Sequence, residues 1–136
     1  LDKNVWSEND FKVGINNISI ERIGDKGISV GENSHVSANY VKIINAEIGI
    51  SSKDLSVITV NNAYLEDNEI GLTAFRKKSE YGPGYIKCYD IRFKNVTIPY
   101  LVETFSELKI DGEIKQSKNL KIKDLLYGVK YGKSSN

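Results

Sequence analysis

Three stretches of this chain repeat one pattern at a fixed interval. DKGISVGENS occupies residues 25–34, EIGISSKDLS residues 47–56 and EIGLTAFRKK residues 69–78, so that Gly27, Gly49 and Gly71 fall 22 residues apart. Apolar residues alternate after each glycine, as Ile28 and Val30, then Ile50 with Ser52, then Leu72 with Ala74. A second alternating pair precedes each glycine: Ile18 and Ile20, Val41 and Ile43, Ala63 and Leu65. The first of these pairs is offset by one residue, which calls for a bulge or a one-residue turn insertion. Period-two alternation of β-branched residues specifies strands, and glycine and asparagine at the joints specify tight turns, often with positive φ.

A fourth copy follows at an offset of 28, with Ile91 and Phe93 matching Ala63 and Leu65, Asn95 matching Asp67, and Tyr100 and Val102 matching Leu72 and Ala74. The extra residues fall in RKKSEYGPGYIKCY, where Gly82-Pro83-Gly84 marks a loop tip. Leu108 and Ile110, then Leu120 and Ile122, read as further short strands. A fixed period of this length is the signature of a stacked repeat. The segments are too short and too glycine-punctuated for paired helices, and the leucine-rich consensus is missing. The expected fold is all-β: a parallel β-helix of about four to five rungs, stacked at ~4.8 Å. One rung cannot bury its own apolar residues, so stacking must make the core. Asn17, Asn39 and Asn61 are also 22 apart and are expected to form an amide ladder, subject to the offset in the first rung.

The expected organisation is a single domain. Residues 1–16 form an N-terminal cap or edge, in which Trp6 and Phe11 cover the open end; residues 17–112 form the rungs; residues 113–136 form short C-terminal strands and a tail. On rung length, turn asparagines and inward Ile, Val and Leu, the chain from about 17 to 112 resembles the right-handed parallel β-helix proteins of the pectate-lyase-like superfamily. That resemblance implies a right-handed coil. It also implies one of two roles: cleavage or binding of polysaccharides, or a non-catalytic surface function. No catalytic motif of the family can be carried over residue by residue.

Composition narrows the chemistry. A net charge of +1 gives no basis for nucleic-acid binding. No apolar run reaches the length of a membrane span. The chain contains no Met and reads as part of a longer protein, whose remainder would meet the open rung ends. The fold analogy and the single cysteine lean towards an extracellular or cell-surface address. Cys88 excludes an internal disulfide and a multi-cysteine metal site, and it reads as a small buried thiol in a strand. His35, the only histidine, is placed in a solvated turn. The sequons at Asn17 and Asn95 fall within the repeats and read as chance matches.

The candidate site lies at the residues that follow the repeated glycines. Glu32, Asp54 and Arg76 are 22 apart and should stack at a turn with their side chains outward. Lys53, Arg76, Lys77, Lys78, Tyr81 and Tyr85 lie nearby and would suit an acidic sugar chain. Three chemistries fit these residue types. A lyase would use calcium, with Lys53 or Arg76 as base. Arg76, however, would repel the ion from Glu32 and Asp54. A glycosidase would need Glu32 and Asp54 on opposite sides of a scissile bond, whereas stacking sets them side by side. Binding without catalysis needs only the charges and the rings, with no cofactor. The plainer alternative is a surface charge ladder contributing ~0–1 kcal/mol per pair. The reading is therefore a non-catalytic scaffold or polysaccharide-binding module. The alternative is a polysaccharide lyase or glycoside hydrolase acting on an acidic polymer.

Overall fold

The computed structural model describes residues 12–22, 24–116 and 121–127. Trp6, Phe11, Leu120 and residues 128–136 lie outside the described residues. Eight strands follow in order: β1 (Lys12–Glu21), β2 (Lys26–Val30), β3 (His35–Ile44), β4 (Ile48–Lys53), β5 (Val57–Phe75), β6 (Tyr85–Val102), β7 (Glu107–Ile110) and β8 (Glu113–Lys115). A single short helix, α1 (Ile122–Leu126), comes last among the described residues. All strand pairings are parallel except β7 with β8. The protein is all-β with a mostly parallel sheet.

The register follows the repeat. His35 lies beside Val57, Val41 beside Ala63, and Ile48 beside Ile70, each 22 residues on. Ala63 pairs with Ile91, Leu65 with Phe93 and Leu72 with Tyr100, so the 28-residue step is an in-register repeat interrupted by a loop. The first repeat is shifted: Ile18 pairs with Val41, yet Lys26 pairs with Ile48. The extra residue therefore sits in the turn between β1 and β2. β1 begins at Lys12, inside the segment expected to serve as a cap.

Each repeat contributes segments to three parallel ladders, and the joints between ladders are left-handed. Asn17, Tyr40, Asn62 and Asp90 recur at one joint with φ of 53–58°. Arg22, Asn45, Asp67 and Asn95 recur at the next, with φ of 55–63°. Asparagine and aspartate dominate these joints because they tolerate this conformation better than other residues with a side chain. The amide ladder forms one residue away from its expected start: Asn39 Nδ2 donates to Asn16 Oδ1 (3.0 Å), not to Asn17, and Asn61 Nδ2 donates to Asn39 Oδ1 (2.9 Å). The first-repeat offset is the cause.

The repeated glycines serve close approach rather than positive φ. A Cβ on Gly27 would lie 2.8 Å from the Gly49 carbonyl oxygen, and one on Gly49 would lie 2.6 Å from that of Gly71. Gly84 is likewise no loop tip: it is buried, and a Cβ there would stand 2.0 Å from Ser52 O.

Side chains from all three ladders meet in one core that includes Ala38, Ile43, Ile50, Ile58, Leu65, Leu72, Ile86 and Cys88. Burial pushes the Cys88 thiol up to about 12, which makes it inert at neutral pH. His35 opens β3 and is half-buried, not in a solvated turn. Cover thins at both ends of the stack, where Ile15, Ile18 and Ile20, then Ile91, Phe93 and Tyr100, are only partly buried. A second cluster forms outside the third ladder, where Ile122 and Leu126 of α1 cover Ile48, Ile70, Phe75 and Leu101. The strand expected at Ile122 is thus a helix, and its apolar residues serve this outer face.

Replacing Gly49 with Ala forces a backbone clash and is expected to destabilise the fold by ~1–3 kcal/mol in urea denaturation. Gly14→Ala, whose Cβ meets nothing within 4 Å, is the matched control and should stay within ~0.5 kcal/mol of the parent.

Candidate functional site

The three residues that follow the glycines stack along the backbone but diverge in their side chains. Asn33 N–H donates to Asp54 O (2.8 Å), and Asp54 N–H donates to Phe75 O (3.3 Å). Glu32 and Arg76 are exposed, whereas Asp54 is fully buried. The expectation that all three point outward is corrected at Asp54. Inward alternation continues through Ser52, Asp54 and Ser56, all fully buried, because each of these small polar side chains meets backbone groups.

Asp54 Oδ1 accepts from the backbone N–H groups of Lys77 (2.8 Å) and Lys78 (2.9 Å). The carboxylate thus fastens the start of the 76–84 loop to the preceding repeat. Ser52 Oγ accepts from Tyr85 N–H (3.3 Å) and donates to Ser56 O (2.9 Å). Ser106 Oγ accepts from Gly84 N–H (3.0 Å). Tyr85 is consequently buried, and its ring is unavailable as the ligand contact expected of it. Tyr81 is half-buried, its N–H bonded to Lys78 O (3.0 Å).

Glu32 is engaged across two repeats by the Lys78 ammonium. The Lys78 hydrogen bond and charge hold the Glu32 carboxyl below its ordinary range, and Glu32 raises Lys78 in return. Glu32 and Asp54 therefore do not form a pair of free carboxylates. Among the described residues, no group of three or more His, Cys, Asp or Glu side chains could hold a metal ion.

What gathers instead is positive charge. Arg76, Lys77, Lys78 and Lys123, with Ser79 and Glu80, line an open groove of about 410 Å³. Lys77 Nζ lies 4.3 Å, and Lys26 Nζ 4.9 Å, from the centre of the Tyr127 ring, whose negative face attracts both cations. Lys53 Nζ donates to Ser29 Oγ (3.2 Å). Burial, then the Lys77 charge, lowers the Lys53 amine below its ordinary value. Burial, then Lys26 and Lys78, lowers Lys77. The lysines thus repel one another within the patch, while Glu32 pairs with Lys78 and Asp25 with Lys26 (3.3 Å).

The sequence reading missed four residues of this assembly: Lys26, Lys123, Tyr127 and Glu103. Glu103 Oε1 accepts from Arg76 N–H (3.2 Å) and Oε2 from Ile122 N–H (3.1 Å), joining the loop to the first turn of α1. Nothing in the repeat pattern signals these contacts, since Lys26 and Glu103 make them with Tyr127 and Ile122, which lie outside the period.

Comparisons with protein-family models, with curated proteins and with solved structures return no match for this chain. Among the described residues, no helix is long and apolar enough to cross a membrane.

Asp54→Ala should cost ~2–3 kcal/mol in urea denaturation, because two backbone donors lose a charged acceptor. Asp54→Asn keeps the Oδ1 acceptor and should cost less than half as much. Equal losses in both variants would show that the charge matters and the hydrogen-bond geometry does not.

Proposed function

We propose that this chain is a non-catalytic module of a larger secreted or surface protein. In this reading its three ladders close into a right-handed parallel β-helix, as in the pectate-lyase-like superfamily, and the 76–80 groove with Lys123 binds an acidic polysaccharide. Support for the coil comes from the two recurring left-handed joints and the continuous core. The observation that carries the binding reading is the cluster of Arg76, Lys77, Lys78 and Lys123 on one groove. Support for binding over lyase or hydrolase chemistry comes from Asp54, which is buried and spends Oδ1 on the loop backbone. A carboxylate so placed cannot reach a sugar, and Glu32 alone supplies neither an acid–base pair nor a calcium cage.

Burial first, and the neighbouring lysines second, lower Lys53 and Lys77, and an acidic chain would offset the second of these. Their sign follows directly. A lysine with a lowered folded value loses its charge earlier as pH rises, so affinity should fall at a lower alkaline pH than ordinary lysines would dictate. Uronate or sulfated polymers should bind in a salt-sensitive way, since the groove is open and the Debye length is ~8 Å at physiological ionic strength.

The test is a glycan array with and without calcium, followed by product analysis on each hit. Acidic polymers should bind uncleaved, and Lys77→Ala with Arg76→Ala should weaken them about tenfold or more, a loss of ~1.4 kcal/mol. Cleavage products, or binding indifferent to both substitutions, would refute the proposal.

A further inference from the structure

Each repeat has a third joint, where the chain leaves the third ladder and enters the first ladder of the next repeat. His35, Val57, Tyr85 and Glu107 are register partners at the start of that ladder, so the residues two places before them stack as a column: Asn33, Leu55, Pro83 and Phe105. Backbone bonds hold the levels together, with Leu55 N–H donating to Pro83 O (2.7 Å) and Glu107 N–H to Gly84 O (3.1 Å). Asn33, Leu55 and Phe105 all have positive φ, 59–75°. The other two joints meet that need with polar residues, Tyr40 apart. This one turns apolar for three successive levels, so the departure is a whole column and not one residue.

Turn geometry does not call for these apolar side chains, since asparagine serves the same backbone at Asn33. Nor does the core: Phe105 is 85% exposed, more than any other large apolar side chain among the described residues, and Leu55 is 37% exposed. The column is nonetheless packed along its length. Leu55 lies against Gly82, where a Cβ would come within 2.6 Å of the leucine side chain. Pro83, Thr104 and Phe105 line a groove of about 350 Å³ with Arg76 and Glu103. Both Glu103 oxygens are engaged, by the backbone N–H groups of Arg76 and Ile122. Arg76 is exposed, and its guanidinium makes no ion pair among the described residues. It also borders the basic groove, so Lys77, Lys78 and Lys123 lie beyond it on the same side.

We propose that the Leu55–Pro83–Phe105 column, with Arg76 at its rim, docks an acidic peptide segment of another protein. One apolar side chain of that segment sits in the groove against Pro83 and Phe105, and one of its carboxylates takes the Arg76 guanidinium. Aromatic residues and arginine are the types enriched at protein interfaces, and an apolar anchor beside a charge-assisted bond supplies most of the strength of such contacts. Charge complementarity selects the partner. A second copy meeting this face about a two-fold axis would bring two sets of Arg76 and Lys77 together, and like charges so placed repel. A membrane surface would need a broad apolar face, and this column offers one ring and the edge of a leucine. The site shares only Arg76 with the basic groove and does not rest on polysaccharide binding there.

The test uses the whole chain and short labelled peptides in which Asp and Glu alternate with Leu and Phe, read by fluorescence anisotropy. Two matched sets serve as controls, one with every acid changed to its amide and one with every apolar residue changed to Ser. The acidic, apolar peptides should bind, and each control set should bind about tenfold more weakly or worse. Phe105→Asn places the residue type of Asn33 at the last level of the column. It should leave the melting temperature unchanged or raise it, and weaken the peptides about tenfold or more. Arg76→Gln should weaken them as well, and carries the test if Phe105→Asn fails to fold. Lys123→Ala, which lines only the basic groove, should weaken them less than Arg76→Gln does. The proposal is overturned if no acidic, apolar peptide binds, if either control set binds equally well, or if both Phe105→Asn and Arg76→Gln bind fully. A dimer of the parent chain that Phe105→Asn abolishes would assign the column to a second copy instead. Binding to anionic vesicles that the same variant abolishes, with no peptide bound, would assign it to a membrane surface.

Discussion

The structure depends on how closely successive repeats can approach along one line of backbone. At Gly27, Gly49 and Gly71 the chain passes so near the next repeat that a methyl group would sit 2.5–2.8 Å from a carbonyl oxygen. No real side chain tolerates that distance, so glycine is required at each level. Once these points are in contact, the parallel ladders on either side fall into register. Parallel pairing in turn sets inward residues of equal rank above one another, which builds a core that no single repeat could bury. Among the described residues the row ends at Pro99, whose carbonyl oxygen would lie 2.5 Å from a Cβ on Gly71.

Much of this was legible because stacking translates a period in sequence directly into contacts in space. The 22-residue interval, the 28-residue step and the shifted first repeat all appear as register pairs. The glycines were found for a different reason from the one that holds them, since a repeat reveals that a residue is needed but not whether φ or proximity needs it. The asparagine ladder was displaced by one residue because an insertion moves register without changing composition. Ile122 was read as a strand because two apolar residues at alternate positions also fit one turn of helix, and only the outer cluster around Ile48 and Ile70 decides between them.

The candidate site was legible in place and not in role. Alignment at 22 residues brought Glu32, Asp54 and Arg76 to one region, but a period cannot tell which way a side chain turns at a joint. Ser52 and Ser56 on either side of Asp54 were the available clue: small hydroxyl residues there signal inward polar groups that satisfy backbone. Asp54 is thus an architectural carboxylate whose position sets the loop carrying Lys77 and Lys78. That loop sets Arg76, Lys77 and Lys78 beside Lys123 on one open groove.

The claim beneath all of this is that each repeat lies directly upon the next in the stated register. Cross-linking tests it most directly. Ser37 and Thr59 are register partners on neighbouring strands, at a separation of ~4.8 Å that a disulfide can span. Lys87 is the partner of Thr59 one repeat further on, so it stands about twice as far from Ser37, beyond disulfide reach. Cys88 is buried and inert and should not compete. A Ser37→Cys, Thr59→Cys variant should oxidise fully within the folded monomer, and a Ser37→Cys, Lys87→Cys variant should stay reduced. Bridging of the second pair in place of the first would contradict the stacked register and the account built on it.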